Sequence, residues 1–540
     1  MISISSRFCS VVHRLTIRMG SNTSDISYES AVCKLNLLQS NKQVIDQIRK
    51  KLKCGEDKCK NIEDMRSYLE RTGVPLSKLD QLSVIHVAGT KGKGSTSAMC
   101  ESILRQHGFR TGFYSSPHLV AVRERIRLHG KVISEDVFAG YFHRVYGMLD
   151  ATKTHEGDMP GYFAFLTVLA FNTFLAEKVD VAVIEVGIGG IVDYTNVLRK
   201  VPVVGITALG LDHTAILGET LGEIAAAKAG VMKRGCRAYS APQPPEAMAV
   251  LQQVADELQC PLTIAPKFES YNFPNGYKML QCNVDAYKTN ASLAIQLSHA
   301  WMQHAKTRNN ILKNKNGFKN RIARETTAKE LTDISNSVFK NGNFDEEVMS
   351  QNGNFKSDIL LQNTLEVPYE TWLGLKECRW PGRYHVVEAS YARFYLDGAH
   401  TKESMDICAE WFKQNVTTDN KILIFGATGD RNSDVLMKPL TDIAFKRAYF
   451  VVPAAYKATN VSKDDYSTVE QKDKVNRCEL HEEMWRKVNN CETIVSECMA
   501  DVLVSIKRNQ VQKPVVLVTG SLHLVGAALS ILDPNLCTYS

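Results

Sequence analysis

The sequence predicts an α/β protein of two domains: a P-loop-containing N-terminal domain with a mainly parallel sheet, and a smaller Rossmann-like α/β domain after it. Three observations lead there. Short, nearly continuous apolar runs alternate with helical stretches, as in a parallel sheet covered on both faces. One such run ends in a glycine-rich turn that opens a helix. The alternation breaks once, over 303–365, and then resumes. At 540 residues, 44% hydrophobic and 23% charged, the chain has globular proportions and room for two or three domains.

Residues 1–26 read as a mitochondrial transit arm. The first 24 contain Arg7, Arg14, Arg18, six serines and no acid, and Asp25 is the first carboxylate. Met19 lies near the end of the arm, where a second start would remove it. In the domain over 27–302, strands are expected at 82–88 (LSVIHVA), 111–114 (TGFY), 179–186 (VDVAVIEV) and 203–208 (VVGITA). The longest apolar stretch, 162–176, has 15 residues, too few for a bilayer, and reads as a buried core helix. The Asn/Lys-rich segment 303–365 repeats NGNF at 341 and 352 and reads as a mobile linker or insertion. The domain over 366–540 carries strands at 393–396, 421–425, 448–452 and 514–519.

Composition excludes several functions. The net charge of +7 is matched by 306–329 alone, where eight basic residues face one acid, so the rest of the chain is balanced. No nucleic-acid module or stacking platform accompanies that cluster. Fourteen cysteines include no C-x-x-C pair, and Cys54 and Cys59 stand apart from other metal ligands. Reduced thiols in a soluble intracellular protein with no transmembrane segment are expected.

The strongest motif follows the first good strand: Gly89-Thr90-Lys91-Gly92-Lys93-Gly94-Ser95, then a helical stretch over 96–107. Glycines let backbone N–H groups approach phosphate oxygens, the helix start adds positive potential, and a lysine supplies charge. It departs from G-x-x-x-x-G-K-[ST], with Val87 at the first glycine and Gly94 after Lys93. A plain glycine-rich turn would explain the glycines but not Lys93 in this context. The second signal is Glu185, at a strand end before Gly187-Ile188-Gly189-Gly190. Beside a triphosphate such a carboxylate would hold Mg²⁺; elsewhere it would be a solvated acid or a cap. The third is Asp212-His213-Thr214, again just past a strand, where a lone histidine is otherwise structural.

With these motifs in order, the chain resembles the folylpolyglutamate synthases, relatives of the Mur ligases of cell-wall synthesis. The resemblance rests on LNLLQSN at 35–41, HVAGTKGKGST at 86–96, TGFYSSPHLVAVRERIR at 111–127 and EVGIGGIVDYTN at 185–196. It continues in LGLDHTAILGET at 209–220, KAG at 228–230, WPGR at 380–383, YLDGAH at 395–400, ATGDR at 427–431 and VTGSLHLVG at 518–526. It implies ATP-dependent addition of L-glutamate to the γ-carboxylate of a reduced folate through an acyl phosphate. By the same resemblance Gly92, Lys93, Gly94 and Ser95 hold the phosphates; Ser116 and Glu185 bind one Mg²⁺; and His213 serves a second, near Lys228, which is carbamylated in relatives. Asn290 meets the adenine, Arg383 and Asp397 reach the nucleotide from the other domain, and His400 lies in the same DGAH loop. Lys93, Lys228, Asp397 and His400 are the catalytic candidates. ATP, two Mg²⁺ and a monovalent cation such as K⁺ are the implied cofactors. Folate and glutamate are the implied substrates, acting on a monomer that binds no nucleic acid. The implied location is the mitochondrial matrix or inner membrane, and the cytoplasm through Met19. Dihydrofolate synthase, a bifunctional enzyme, and a nucleotide-binding regulatory protein remain alternatives at this level.

A reporter fused to residues 1–30 is expected to enter mitochondria, and Met19→Leu to deplete the cytosolic pool. Imaging decides it: a purely cytosolic reporter overturns the import reading.

Overall fold

The computed structural model describes residues 26–38, 60–155, 157–274, 282–325, 365–428, 433–457, 471–508 and 512–536; residues 308–325 and 471–472 are described as helix without their side chains. Most of the expected transit arm, Met19, Cys54, Cys59, the NGNF repeat and 429–431 of ATGDR lie outside the described residues.

The first unit runs α1 (Tyr28–Leu37), α2 (Asn61–Arg71), β1 (Val84–Ala88), α3 (Lys93–Gln106), β2 (Thr111–Tyr114), β3 (Ile126–Leu128), β4 (Lys131–Val132), α4 (Glu135–Ala151), α5 (Tyr162–Ala176), β5 (Val181–Glu185), β6 (Val203–Ile206), α6 (Leu221–Ala229), β7 (Arg237–Ser240), α7 (Pro245–Glu257), β8 (Leu262–Ile264) and α8 (Asp285–Glu325). Its eight strands lie in the order β4-β3-β2-β5-β1-β6-β7-β8, parallel except for the β2–β3–β4 edge. Side chains alternate across this sheet as the pleat requires. Ile85, Val87, Val181 and Val183 join the core under α3 and α8, while Val84, Ala88, Ala182 and Ile184 join the opposite core with α5. The four strands expected here all form.

Helix α5 fills its expected place. Phe165, Phe171 and Phe174 are fully buried in the core shared by β1, β2 and β5. No helix among the described residues is long and apolar enough to cross a membrane.

The described part of the expected linker or insertion is helical. Helix α8 passes through position 302 and continues to Glu325. Residues 303–325 contain no proline, and four lysines and three arginines stand among five asparagines, so polar composition there does not by itself end a helix. The 366 boundary shifts as well. Glu366 bridges Asn272, and α9 (Tyr369–Lys376) lies so close on α3 that a Cβ on Gly374 would stand 2.5 Å from the Ile103 Cα. Those residues therefore pack with the first unit.

The second unit is β9 (His385–Glu388), β10 (Arg393–Leu396), α10 (Lys402–Asn415), β11 (Lys421–Phe425), β12 (Arg447–Val451), α11 (Gln471–Arg486), β13 (Glu492–Ser496), α12 (Met499–Arg508), β14 (Val515–Thr519) and α13 (Leu522–Leu532). Its order is β13-β12-β11-β14-β10-β9, parallel except at β9. Several contacts join the units, among them the following. Tyr287 meets Tyr384 edge-on at 5.8 Å, and Tyr384 meets Trp411 at 5.5 Å. Leu119 and Val120 pack into the core that holds Leu524 and Val525.

Phe171→Ala should cost about 3–5 kcal/mol of first-unit stability, because a buried ring leaves a cavity that the sheet cannot close. Urea unfolding followed by circular dichroism measures it; a loss below about 1 kcal/mol would show that α5 is not a core element.

Candidate active site between the two sheets

A cleft of about 1050 Å³ opens where the C-terminal ends of β1, β2, β5 and β6 face the second unit. Strand ends of an open α/β sheet are where ligands bind. Among its lining residues are Gly92, Lys93, Gly94, Ser95, Ser116, Glu185, His213, Asn290, Arg383, Asp397 and His400. Residues separated by up to three hundred positions are thus gathered in one place.

The cradle is built first. Gly92 adopts φ +90° ahead of α3, a conformation that L side chains rarely adopt, and a Cβ there would stand 2.2 Å from Asn290 Oδ1. Gly94 is pressed by the Trp380 indole, 3.0 Å from where its Cβ would be. The loop is tied to β6, since the N–H groups of Thr90 and Lys91 both donate to the Ala208 carbonyl at 3.0 and 3.1 Å. Thr90 Oγ1 donates to the Gly210 carbonyl at 3.1 Å. Lys93 Nζ donates to the carbonyls of Gly89 and Thr90 at 3.1 and 3.4 Å. The first N–H groups of any helix lack intrahelical partners, so the start of α3 is suited to an anion.

Beside it, Glu185 is 5% exposed and accepts the Ser116 backbone N–H at 3.1 Å. Burial pushes its carboxyl up to about 7, against the pull of Lys93, Ser116, Arg383 and Arg125. His213 sits at φ +53°, held by a backbone N–H to Asp212 Oδ1 at 3.0 Å. Burial lowers its pKa; Asp212 opposes this, and Lys93, Lys228 and Lys91 add to it. Lys228 does not line the cleft. It lies behind the loop, 3% exposed, donating to the Gly89 carbonyl at 2.8 Å. Burial, then the charge of Lys93, pulls it from 10.5 to about 7.

The second unit supplies the opposite wall. Asp397 is 5% exposed and accepts the Tyr384 N–H at 3.0 Å; burial raises its pKa and Arg383 opposes that. His400 has Nδ1 2.7 Å from the Gly398 carbonyl, which can only accept, so Nδ1 carries the hydrogen. Asn290 Oδ1 accepts from Thr96 Oγ1 at 3.3 Å, fixing the amide orientation at the cradle.

Sequence reasoning missed other lining residues. Lys91 pairs with Asp212 at 3.2 Å, Arg125 bonds His118, and Arg127 lies 5.0 Å over the Trp380 ring. Tyr162, Phe163 and Tyr194 add aromatic lining, and Ser521 and His523 face it from the second unit. Most lie inside the quoted motifs, which was the available signal; their pairing is long-range and leaves no spacing to read.

Among the described residues no group of three or more His, Cys, Asp and Glu could hold a metal ion. The donor chemistry still suits Mg²⁺, which takes one or two carboxylates and otherwise water and phosphate oxygens.

The chain is 34% identical to the mitochondrial folylpolyglutamate synthase of Bos taurus, over 95% of this chain and 93% of that one. It is 35% identical to a putative folylpolyglutamate synthase of Caenorhabditis elegans, over 95% and 94%. No family model matches. Among solved structures, a Mycobacterium tuberculosis folylpolyglutamate synthase complexed with ADP and AMPPCP superposes with TM-score 0.63 at 19% identity, over 87% of this chain and 95% of that one. Escherichia coli FolC in complex with DHPP and ADP gives 0.60 at 19%, over 91% and 97%. At such identities these two likenesses show the fold.

Lys228→Met should stabilise the fold while removing activity. Between pH 7 and 10.5 the unfolded chain holds a proton on Lys228 that the folded chain has shed. Native stability therefore rises with pH through that window, and the burial penalty is fullest below 7. Relieving it should add on the order of 2 kcal/mol at pH 6, shrinking towards nothing by pH 10. Denaturant melts at pH 6, 8 and 10 measure this; a loss at pH 6 would mean that the bond to Gly89 outweighs the penalty.

Proposed function

The chain belongs to the folylpolyglutamate synthase family, and on that premise we propose that it joins L-glutamate to the γ-carboxylate of folates in an ATP-dependent reaction. The observation that carries the reading is the shared cleft: the Lys93 loop and Glu185 on one wall, Arg383, Asp397 and His400 on the other.

A carboxylate is a poor acyl donor because hydroxide or oxide would have to leave. Phosphoryl transfer from ATP makes an acyl phosphate, and the glutamate amine then displaces phosphate. The first step needs the transferred charge held in line, and the second needs a developing oxyanion stabilised. Lys93 and the N-terminus of α3 supply fixed positive charge for the phosphates, and Arg383 faces them from the second unit. Asn290, locked by Thr96, suits the adenine. His400 and Asp397, which line the same cleft, are the candidates to act where the acyl phosphate meets the amine. The aromatic lining of Tyr162, Phe163 and Tyr194 suits the flat rings of a folate.

Ser116 with Glu185, and His213 near Asp212, are the residues that would hold Mg²⁺, which supplies charge neutralisation for phosphate oxygens. The neutral amine favoured at Lys228 is the form that CO₂ adds to, which supports its carbamylation. The mitochondrial names of three relatives and the acid-poor arm support import, with a cytosolic form starting at Met19.

Purified protein with ATP and labelled glutamate should label tetrahydrofolate. Label on dihydropteroate alone would replace this reading with dihydrofolate synthesis. Lys93→Ala should cut kcat by about 10²–10³ with the melting temperature unchanged; activity within a few-fold of wild type would show that the cradle is misassigned.

A further inference from the structure

The loop after β2 holds a side-chain pair that the phosphate chemistry does not use. Arg125 lines the cleft, 8% exposed. Its Nε–H donates to Nδ1 of His118 at 3.0 Å, and its guanidinium lies 5.4 Å over the Tyr162 ring. Its own carbonyl accepts the Ser115 N–H at 3.0 Å, so the residue is anchored at both ends. The guanidinium has no acceptor, so the ring nitrogen facing it must be bare, and His118 carries its hydrogen on Nε2. His118 is itself 8% exposed. The intervening turn is stiff, because the Glu124 carboxylate accepts the N–H groups of Leu119, Val120 and Ala121 at 3.0, 2.7 and 2.5 Å.

Among the described residues no carboxylate reaches ion-pair distance of Arg125. Glu185 feels its charge at longer range, but a buried cation that no carboxylate contacts is costly, and the cost falls when an anionic ligand arrives. Tyr162 and Phe163 line the same cleft, so the fitting ligand combines flat rings with a carboxylate. The folate acceptor does; free glutamate has no ring.

We propose that His118 is a positioning residue for the ligation: its Nδ1 lone pair fixes Nε of Arg125, turning Nη1 and Nη2 towards a carboxylate of the folate's glutamate tail. This rests on the ligase reading above. Holding a charged fork to within about 1 Å is worth up to about a hundredfold.

The test uses two substitutions of similar polarity in the full chain. Asparagine can place an acceptor oxygen near Nδ1, and glutamine places it near Nε2. Steady-state kinetics with tetrahydrofolate, glutamate and ATP should give H118N constants within about threefold of wild type. H118Q should raise KM for the folate ten- to a hundredfold, with KM for ATP and for glutamate within about twofold. Since His118 acts through Arg125, H118Q should add nothing in an R125K background. Equal damage in both variants, a fall in kcat with folate KM unmoved, or additive losses in R125K would each overturn the assignment. A wild-type chain that transfers no glutamate would sink the ligase reading itself; with the wild type active, the variants decide on His118 alone.

Discussion

Everything in this architecture converges on a loop that has almost no side chains in the way. Between β1 and α3 the backbone is approached by Asn290 from α8 at Gly92 and by Trp380 from the 380–383 segment at Gly94. A methyl group at Gly92 would displace a side chain that the adenine is expected to meet. The glycines therefore serve two masters. They let amides face phosphate, and they let a distant helix and the edge of the second unit close on the same spot. The family motif is short, but its steric consequences reach across 300 residues.

That convergence sets the electrostatics. Lys91, Lys93 and Lys228 surround one loop, with Arg383 and Arg125 within reach of Glu185. Water screens these charges poorly once the cleft is closed. The protein responds by moving protons. It favours a neutral amine at Lys228 and a carboxyl at Glu185 that holds its proton up to about 7. Both groups are then poised to change charge when a triphosphate and its cation arrive, because burial, the first cause of each shift, disfavours their charged forms. Lys91 is quieted differently, by its pair with Asp212, which also orients the segment bearing His213. Perturbed groups clustered at one strand-end cleft are what an active site produces.

Much of this was legible in the sequence, and the limits are physical. Central strands such as β1, β5 and β14 are buried on both faces and read as unbroken apolar runs. The edge strands β4, β8 and β13 bury little and escaped. Helix α8 runs past 302 although the composition after it is polar, because helix propensity does not require burial. Within the site, Lys93 and Glu185 were found from the glycine-rich loop and the strand end, whereas Ser116 and Asp397 came only with the family motifs. The His118–Arg125 bond was not, since neither residue is unusual alone and only the fold of the Ser115–Arg127 segment brings ring nitrogen to guanidinium. Pairwise chemistry between loop residues has no period.

The same segment explains why substrate and closure should be linked. Leu119 and Val120 follow His118 directly and pack into the core beside Leu524 and Val525, so the turn that holds Arg125 is also the seam between the units. Glu124 stiffens that turn from one side, and Tyr114 and Ile126 register it to the sheet from the other. A rigid turn between a substrate cation and an interdomain contact cannot move one without the other. An acyl phosphate must meet an amine before it meets water, so chemistry should wait until the second wall is in place. Placing the folate-facing arginine and the seam on one short loop couples those two conditions through a few hydrogen bonds, with no need for a separate lid.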